Sequence, residues 1–413
     1  MRVPEGWRAV RLGDVTKESR LRNDGSAIDA ERLYGVFKDE GMVPMRDRVR
    51  GASVERCKVV KPGAFAYNPM RLNIGSIACS MGNDNVIVSP DYVVFECDPR
   101  QLDHRYLDHL RKGRDWAKFT ERSGDGGVRI RIYFDHLAEF RFLLPPLSEQ
   151  CGIVEALSSV DDAIASTQGG IEQTRVVKQN VLERLLTRGI NHNRFKKSEI
   201  GNVPDLWEVL PLPDLLREPV RNGYSPVCPT ESTGRWILSL GALTPDGFSP
   251  ERIKPAPLND VRLEGATLED GDVLISRSNT PERVGLAGLY QGTPAPCYYP
   301  DLMMRLRFDL KKMMPEFAVA WLSHLQSKGY FAEAASGTSA SMVKINRSTL
   351  SGVLVPVPSM DEQESLIQKF RQVESVEVLE KQKLASMERL KSALMSDLLT
   401  GRKRVSADGM AVA

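Results

Sequence analysis

The sequence predicts a duplicated α/β (α+β) chain. Two similar globular domains should be separated by an antiparallel pair of long coiled-coil helices, with approximate two-fold symmetry. Three observations predict this. The first is a repeat: Glu149-Gln150 recurs as Glu362-Gln363, Leu185 as Leu398 and Thr187 as Thr400, all at one offset of 213. The second is a heptad pattern inside both copies. The third is a weaker set of anchors elsewhere. Val3-Pro4 and Trp7 recur as Val203-Pro204 and Trp207, and Asp14 as Asp214. Lys61 to Tyr67 resembles Glu269 to Ile275, and Pro90-Asp91 recurs as Pro300-Asp301. No insertion separates the strongest copies over about forty residues. A surface loop tolerates length changes, whereas two helices packed along their length do not. Two-fold molecules often read two-fold ligands.

Residues 1–147 form the first expected domain. Val86-Ile87-Val88 and Tyr92-Val93-Val94-Phe95 lie between Gly, Pro and Asn-Asp breakers, which predicts strands. Arg105 to Arg122 reads as one helix, with Leu107, Leu110, Arg114 and Ala117 on one side. Residues 148–189 form the first long helix. Ile153, Leu157, Val160, Ile164, Thr167, Ile171, Thr174, Lys178, Val181 and Leu185 alternate steps of four and three, the a/d seam of a coiled coil. Residues 190–360 repeat the first domain, with Phe317 to Phe331 as the matching helix. Residues 361–402 form the second long helix, its seam running Leu366, Phe370, Val373, Glu377, Glu380, Leu384, Met387, Lys391, Leu394 and Leu398. Ser148 and Asp361 are N-cap types, and Gly189 and Gly401 are natural stops. Each helix should be roughly 60 Å long. The apolar seam positions read as buried core. The polar members Lys178, Glu377, Glu380 and Lys391 set register, pair across the seam or face a partner. Residues 403–413 read as a flexible tail. Antiparallel helices would put the two domains at opposite ends, a dumbbell suited to measuring a distance.

Composition bounds the function. The chain has 413 residues and a formal net charge of +2, so no global basic field announces nucleic acid. Local basic stretches exist at Arg46, Arg48 and Arg50, and at Arg111, Lys112 and Arg114. Six scattered cysteines without a C-x-x-C pair read as reduced thiols. No signal peptide or run of about eighteen apolar residues is present, which predicts a cytoplasmic protein without a membrane partner.

The catalytic signals are weak. Tyr67-Asn68-Pro69-Met70 lacks the second proline and the aromatic of an N-P-P-Y motif, so it reads as a turn after a strand. Pro90-Asp91 with Glu96-Cys97-Asp98 lacks the lysine of a P-D…E-x-K nuclease. Neither a G-x-G-x-x-G nor a G-K-[ST] phosphate loop occurs. His104 and His109 have no metal-ligand context. The sequence reads as non-catalytic, with no cofactor or metal of its own.

Base reading needs exposed donors and acceptors, Arg for guanine and Asn or Gln for adenine. Arg71 and Asn73 follow the Gly63 strand, and Arg277 and Asn279 follow the Gly271 strand. Two Gly/Ser-rich loops, 123–129 and 336–344, let backbone N–H groups approach phosphate. Arg129, Arg131, Lys344, Asn346 and Arg347 add charge and polar contacts beside them.

The chain resembles the specificity subunit of type I restriction–modification enzymes. The resemblance rests on Leu144-Pro145-Pro146-Leu147-Ser148-Glu149-Gln150 and its copy Pro356 to Gln363, the Leu-Leu-Thr helix ends, and Ser198-Glu199-Ile200-Gly201-Asn202-Val203-Pro204-Asp205-Leu206-Trp207. It departs at Ser359, where the first copy has Pro146, and at Thr187-Arg188-Gly189, where Thr-Gly is usual. It implies two target-recognition domains, each reading half of a split sequence in double-stranded DNA. It implies helices that set the spacing and dock two modification (methyltransferase) subunits, joined by restriction (translocase–nuclease) subunits for cleavage. S-adenosylmethionine, ATP and Mg would then sit on those partners. The competing readings are a coiled-coil adaptor without DNA recognition and a self-sufficient methyltransferase. The first has no need of paired basic loops, and the second lacks its cofactor motif.

Overall fold

The computed structural model describes residues 3–38, 40–45, 54–122, 131–336, 342–405 and 411–412. The chain divides into two compact units. One comprises residues 1–169 and 381–413, the other 170–380. Each unit therefore holds one globular part and about half of each long helix.

In the first unit a four-stranded sheet runs in the order Thr16–Ser19, Val93–Cys97, Phe65–Tyr67, Ile77–Cys79. A second sheet runs Gly41–Pro44, Leu33–Phe37, Val86–Val88, Lys58–Val60, with the middle pair parallel. Arg8–Arg11 pairs antiparallel with Arg141–Leu144 just before the first long helix. The second unit repeats this plan. Its four-stranded sheet runs Arg221–Asn222, Met303–Leu306, Val273–Ser276, Ala287–Leu289. Its smaller sheet runs Ile253–Pro255, Trp236–Leu238, Cys297–Tyr298, again with one parallel pair. The fourth strand is reduced to a bridge, Thr267 to Tyr298. Glu208–Pro211 pairs with Leu354–Val357 as Arg8–Arg11 does with Arg141–Leu144. The equal-fold expectation is met in strand order and strand sense.

Two short helices were expected as single ones. The first breaks into His104–Leu110 and Arg114–Arg122 around Gly113, and the second into Pro315–Ser327 and Tyr330–Glu333. Gly329 has φ +81°, a left-handed turn that an apolar face pattern cannot reveal.

The long helices span Leu147–Arg188 and Met360–Leu398. Both start slightly earlier than expected, so Ser148 and Asp361 lie in the first turn rather than at the cap. Ser359 caps the second, its Oγ accepting from Glu362 N at 3.3 Å. The corresponding Pro146 has no side-chain oxygen to do so.

The helices run antiparallel within each unit. In the first, Lys391 Nζ meets Asp161 at 2.5 Å and Thr167 Oγ1 meets the Met387 sulfur at 3.6 Å. In the second, Arg175 and Lys178 both reach Glu377 at 3.3 Å. The heptad phase is confirmed residue by residue: Ile171 and Glu377 are buried, while Val176, Val177, Val376 and Val378 beside them are exposed. Glu377 is only 4 % exposed, and two cations compensate its burial. Of the alternatives for the polar seam residues, Lys178, Glu377 and Lys391 pair across it.

Both helices end at glycines in the left-handed region, Gly189 at φ +61° and Gly401 at φ +69°. A Cβ on Gly189 would lie 2.6 Å from Glu362 Oε1 and 2.7 Å from the Trp207 ring. Gly189→Ala is expected to destabilise the second unit by at least 1–2 kcal/mol, roughly the left-handed cost alone. Urea unfolding checks it; an unchanged midpoint would show that the chain leaves the helix there at no conformational cost.

Residues 403–413 depart from a simple flexible tail at their start. Val405 is buried in the first unit's core, and Arg404-Val405 pairs with Ala411–Val412.

Candidate nucleic-acid interface

One node holds each globular part to its helices. Trp7 Nε1 donates to Glu149 at 2.9 Å, and Trp207 Nε1 donates to Glu362 at 2.9 Å. Gln150 is fully buried. Its Oε1 accepts from Asp103 N at 2.8 Å, and its Nε2 donates to the Gln101 and Pro145 carbonyls at 2.8 and 2.9 Å. Gln363 does the same, accepting from Met314 N at 2.8 Å and donating to Lys312 and Pro358 carbonyls at 3.0 Å each. Asp103 and Met314 are the N-caps of matching helices. An amide is the one side chain that satisfies a buried N–H and two buried C=O groups at once. The residue following each helix-ending glycine by three completes the node. Arg404 grips Glu149 through Nε and Nη2 at 2.6 and 2.8 Å, and His192 meets Glu362 at 2.7 Å. The sequence marked Glu-Gln as a repeat but not as this clamp.

From this frame the sheets present loops. In the first unit the Asn68 Oδ1 accepts from Met70 N at 3.0 Å, and Arg71 N donates to Asn68 O at 2.9 Å. This tight turn leaves Arg71 and Asn73 exposed, with no side-chain partner among the described residues. Ile132 N donates to Pro69 O at 3.0 Å, which brings Arg131 beside the turn. Arg131 is exposed and donates to Tyr133 at 3.3 Å. Arg129 lies outside the described residues.

In the second unit Ile345 N donates to Arg277 O at 2.9 Å, the equivalent of the Ile132–Pro69 bond. Ser278-Asn279 pairs with Val343-Lys344, so two stretches singled out separately in the sequence meet. Lys344, matching Arg131, is exposed, as is Arg347.

Three expectations need correction here. Strand pairing aligns Arg277 with Pro69 and Asn279 with Arg71, so the two Arg-x-Asn triplets are not equivalent but shifted by two residues. Asn279 is buried, donating to Ser276 at 3.3 Å and accepting from Thr280 N at 3.0 Å. Burial in a strand pair, not a loop tip, removes it from any exposed reading edge. Asn346 is a helix cap, its Oδ1 accepting from Thr349 N at 2.9 Å. Arg277 is partly buried and donates to Asp301 O at 3.2 Å.

Known proteins are similar to this chain in sequence and in fold. Residues 4–174 match the family described as Type I restriction modification DNA specificity domain. The second half repeats the node and strand order of that matched segment. Over that segment the chain is similar to the type I restriction–modification specificity family. The MjaVIII specificity subunit of Methanocaldococcus jannaschii is 24 % identical, covering 98 % of this chain and 95 % of its own. The EcoKI specificity subunit of Escherichia coli K12 is 24 % identical, covering 96 % and 88 %. Two solved structures share the fold. A chain from a study of complex assembly and conformational transition in a type I R-M system has a TM-score of 0.62 at 20 % identity, covering 97 % of this chain and 99 % of its own. The S subunit from M. genitalium has a TM-score of 0.53 at 13 % identity, covering 97 % and 98 %.

Sequence reasoning missed Arg221, Asn222 and Arg262, which the fold brings beside Arg347. The available signal was Arg221-Asn222 itself, an exposed pair of base-reading types between breakers. No helix among the described residues is long and apolar enough to cross a membrane.

Proposed function

We propose that this chain is the DNA-specificity subunit of a type I restriction–modification assembly. Each globular part reads one half of a bipartite duplex target. One observation carries the reading. Two identical anchors support two equal sheets, and each sheet presents a polar, cationic loop tied by the same backbone bond, with different side chains at its tip. A shared frame with divergent tips is what two independent half-site readers require.

In this reading the helices set the spacing and dock two modification subunits. Support comes from Val176 and Val177 on one helix and Val376, Val378 and Leu379 on the other, all 48 % exposed or more. Exposed apolar side chains grouped on a helix pair mark a protein contact. The chain itself is non-catalytic and works in the cytoplasm. Adenine methylation belongs to the modification subunits with S-adenosylmethionine. Translocation and cleavage belong to restriction subunits with ATP and Mg. A coiled-coil adaptor would need neither the exposed Arg71 and Asn73 nor the matching Arg131 and Lys344.

Mapping methylated adenines in cells carrying the chain and its partners tests the reading. The expected result is one split motif with an unspecified gap. Arg71→Ala with Asn73→Ala should relax one half of that motif and leave the other intact, at roughly 1–3 kcal/mol of discrimination per lost bidentate contact. Loss of specificity in both halves together would contradict independent reading. The isolated chain should bind DNA weakly, since a net charge of +2 neutralises few phosphates. Gel shifts at physiological salt check this; tight sequence-specific binding by the chain alone would count against it.

A further inference from the structure

The second unit contains a cleft of about 430 Å³ whose charged lining is entirely cationic. Arg221, Arg262 and Arg347 face it with Asn222 and Tyr224, and no carboxylate among the described residues lines it. The three arginines come from three separate elements: an edge strand, the 3₁₀ segment Val261–Ala266 and the helix Arg347–Ser351. Each is placed by other contacts. Arg221 pairs with Arg305 in the sheet, and its carbonyl accepts from Tyr299 OH at 3.3 Å. Arg262 donates through Nε and Nη2 to both Asp260 oxygens at 2.9 and 3.0 Å. Its guanidinium lies 4.5 Å from the Tyr224 ring centre, and Tyr224 OH donates to the same Asp260 at 2.9 Å. Nη1 of Arg262 remains uncommitted. Arg347 follows the Asn346 cap. The guanidiniums of Arg221 and Arg347 have no partner among the described residues.

Arg262 is held by Asp260, while Arg221 and Arg347 line the cleft with their charge uncompensated, and an entering anion would neutralise it. A planar fork of donors matches phosphate oxygens. The cations also continue outward. Lys344 lies three residues before Arg347 and pairs with Ser278 beside Arg277. A row of this kind suits an extended polyanion better than a single small anion.

The cleft is a property of the second unit. Strand pairing matches Arg221 to Ser19, and the neighbouring Arg20 is bound to Glu18 at 2.9 Å. The position of Arg347 is taken by Phe134, which packs on the first core.

We propose that the Arg221–Arg262–Arg347 cleft seats a backbone phosphate of the DNA flanking the half-site of the second domain. This rests on the specificity-subunit reading above. The two halves of the target are then gripped unequally: the second carries a phosphate clamp where the equivalent described positions of the first, Ser19 and Phe134, have no cation.

The test uses the full-length chain, a labelled duplex of about 30 base pairs and a salt series starting at about 20 mM. Each phosphate contact adds about 0.9 to the slope of log affinity against log salt. R221Q/R347Q should lower that slope by about one, while K369Q, an exposed lysine on the second long helix, should leave it unchanged. Thermal melts confirm equal folding. If the double variant melts early, R221Q and R347Q singly carry the same reading. Wild-type and double variant with equal slopes would overturn the cleft proposal alone. So would an equal loss with K369Q, or stabilisation of only the wild-type melt by millimolar inorganic phosphate with no change in DNA slope. A wild-type chain that binds no duplex even at the lowest salt would overturn the specificity-subunit reading as well.

Discussion

Gln363→Leu is expected to destabilise the second unit by roughly 2–4 kcal/mol. The side chain is fully buried and satisfies the Met314 N–H and the Lys312 and Pro358 carbonyls. Leucine is of similar size but leaves those groups desolvated and unpaired, at about 1–3 kcal/mol each where water cannot reach. Gln150→Leu should do the same to the first unit, with the Asp103 N–H and the Gln101 and Pro145 carbonyls orphaned. Hydrogen exchange at the Met314 and Asp103 amides separates the two effects, because each variant should lose protection in its own unit only. A Q363L chain within about 0.5 kcal/mol of wild type would show that backbone relaxation or water replaces the clamp.

How much of this was legible follows from the chemistry of each element. The long helices were legible because a seam of apolar positions is a one-dimensional signal: Ile153, Leu157, Leu366 and Phe370 are buried as the heptad requires. The duplicated sheets were legible through Trp7 and Trp207 and the Gly63 and Gly271 turns, even at low identity. The clamp was not, because its partners at Gln101 and Lys312 are backbone carbonyls, which any residue supplies. Asn279 was misplaced for the same reason: a strand pairing with Val343 buries it, and that pairing is long-range. The cleft was missed because Arg221, Arg262 and Arg347 are far apart in sequence; Arg347 stands out beside a Gly/Ser-rich loop, but Arg221 and Arg262 look like solvated surface arginines.

Lengthening both helices by one heptad should change the spacing of the target. Insertions after Gly169 and after Glu380 fall where the two units divide, so each unit keeps its internal contacts, including Asp161–Lys391 and Lys178–Glu377. Seven residues add roughly 10 Å of helix. At about 3.4 Å per base pair, the unspecified gap should grow by about three base pairs, with both half-sites unchanged. Methylation mapping with the partner subunits reads this directly. A lengthened protein that folds and assembles yet methylates sites of the original spacing would refute the ruler.

The Trp–Glu–Gln node has a further consequence for how such a protein changes over time. The polar contacts that tie a globular part to its helices centre on Trp7, Gln150 and Glu149 in one half and Trp207, Gln363 and Glu362 in the other. None of these lies among the loop residues assigned to reading DNA. Exposed loop-tip residues such as Arg71 and Asn73 can therefore change with little cost to the fold, whereas a substitution at the node threatens the fold without altering what is read. Stability and recognition are inherited as separate traits. A lineage can acquire a new half-site by ordinary point substitution while the chance of producing a non-folding chain stays low.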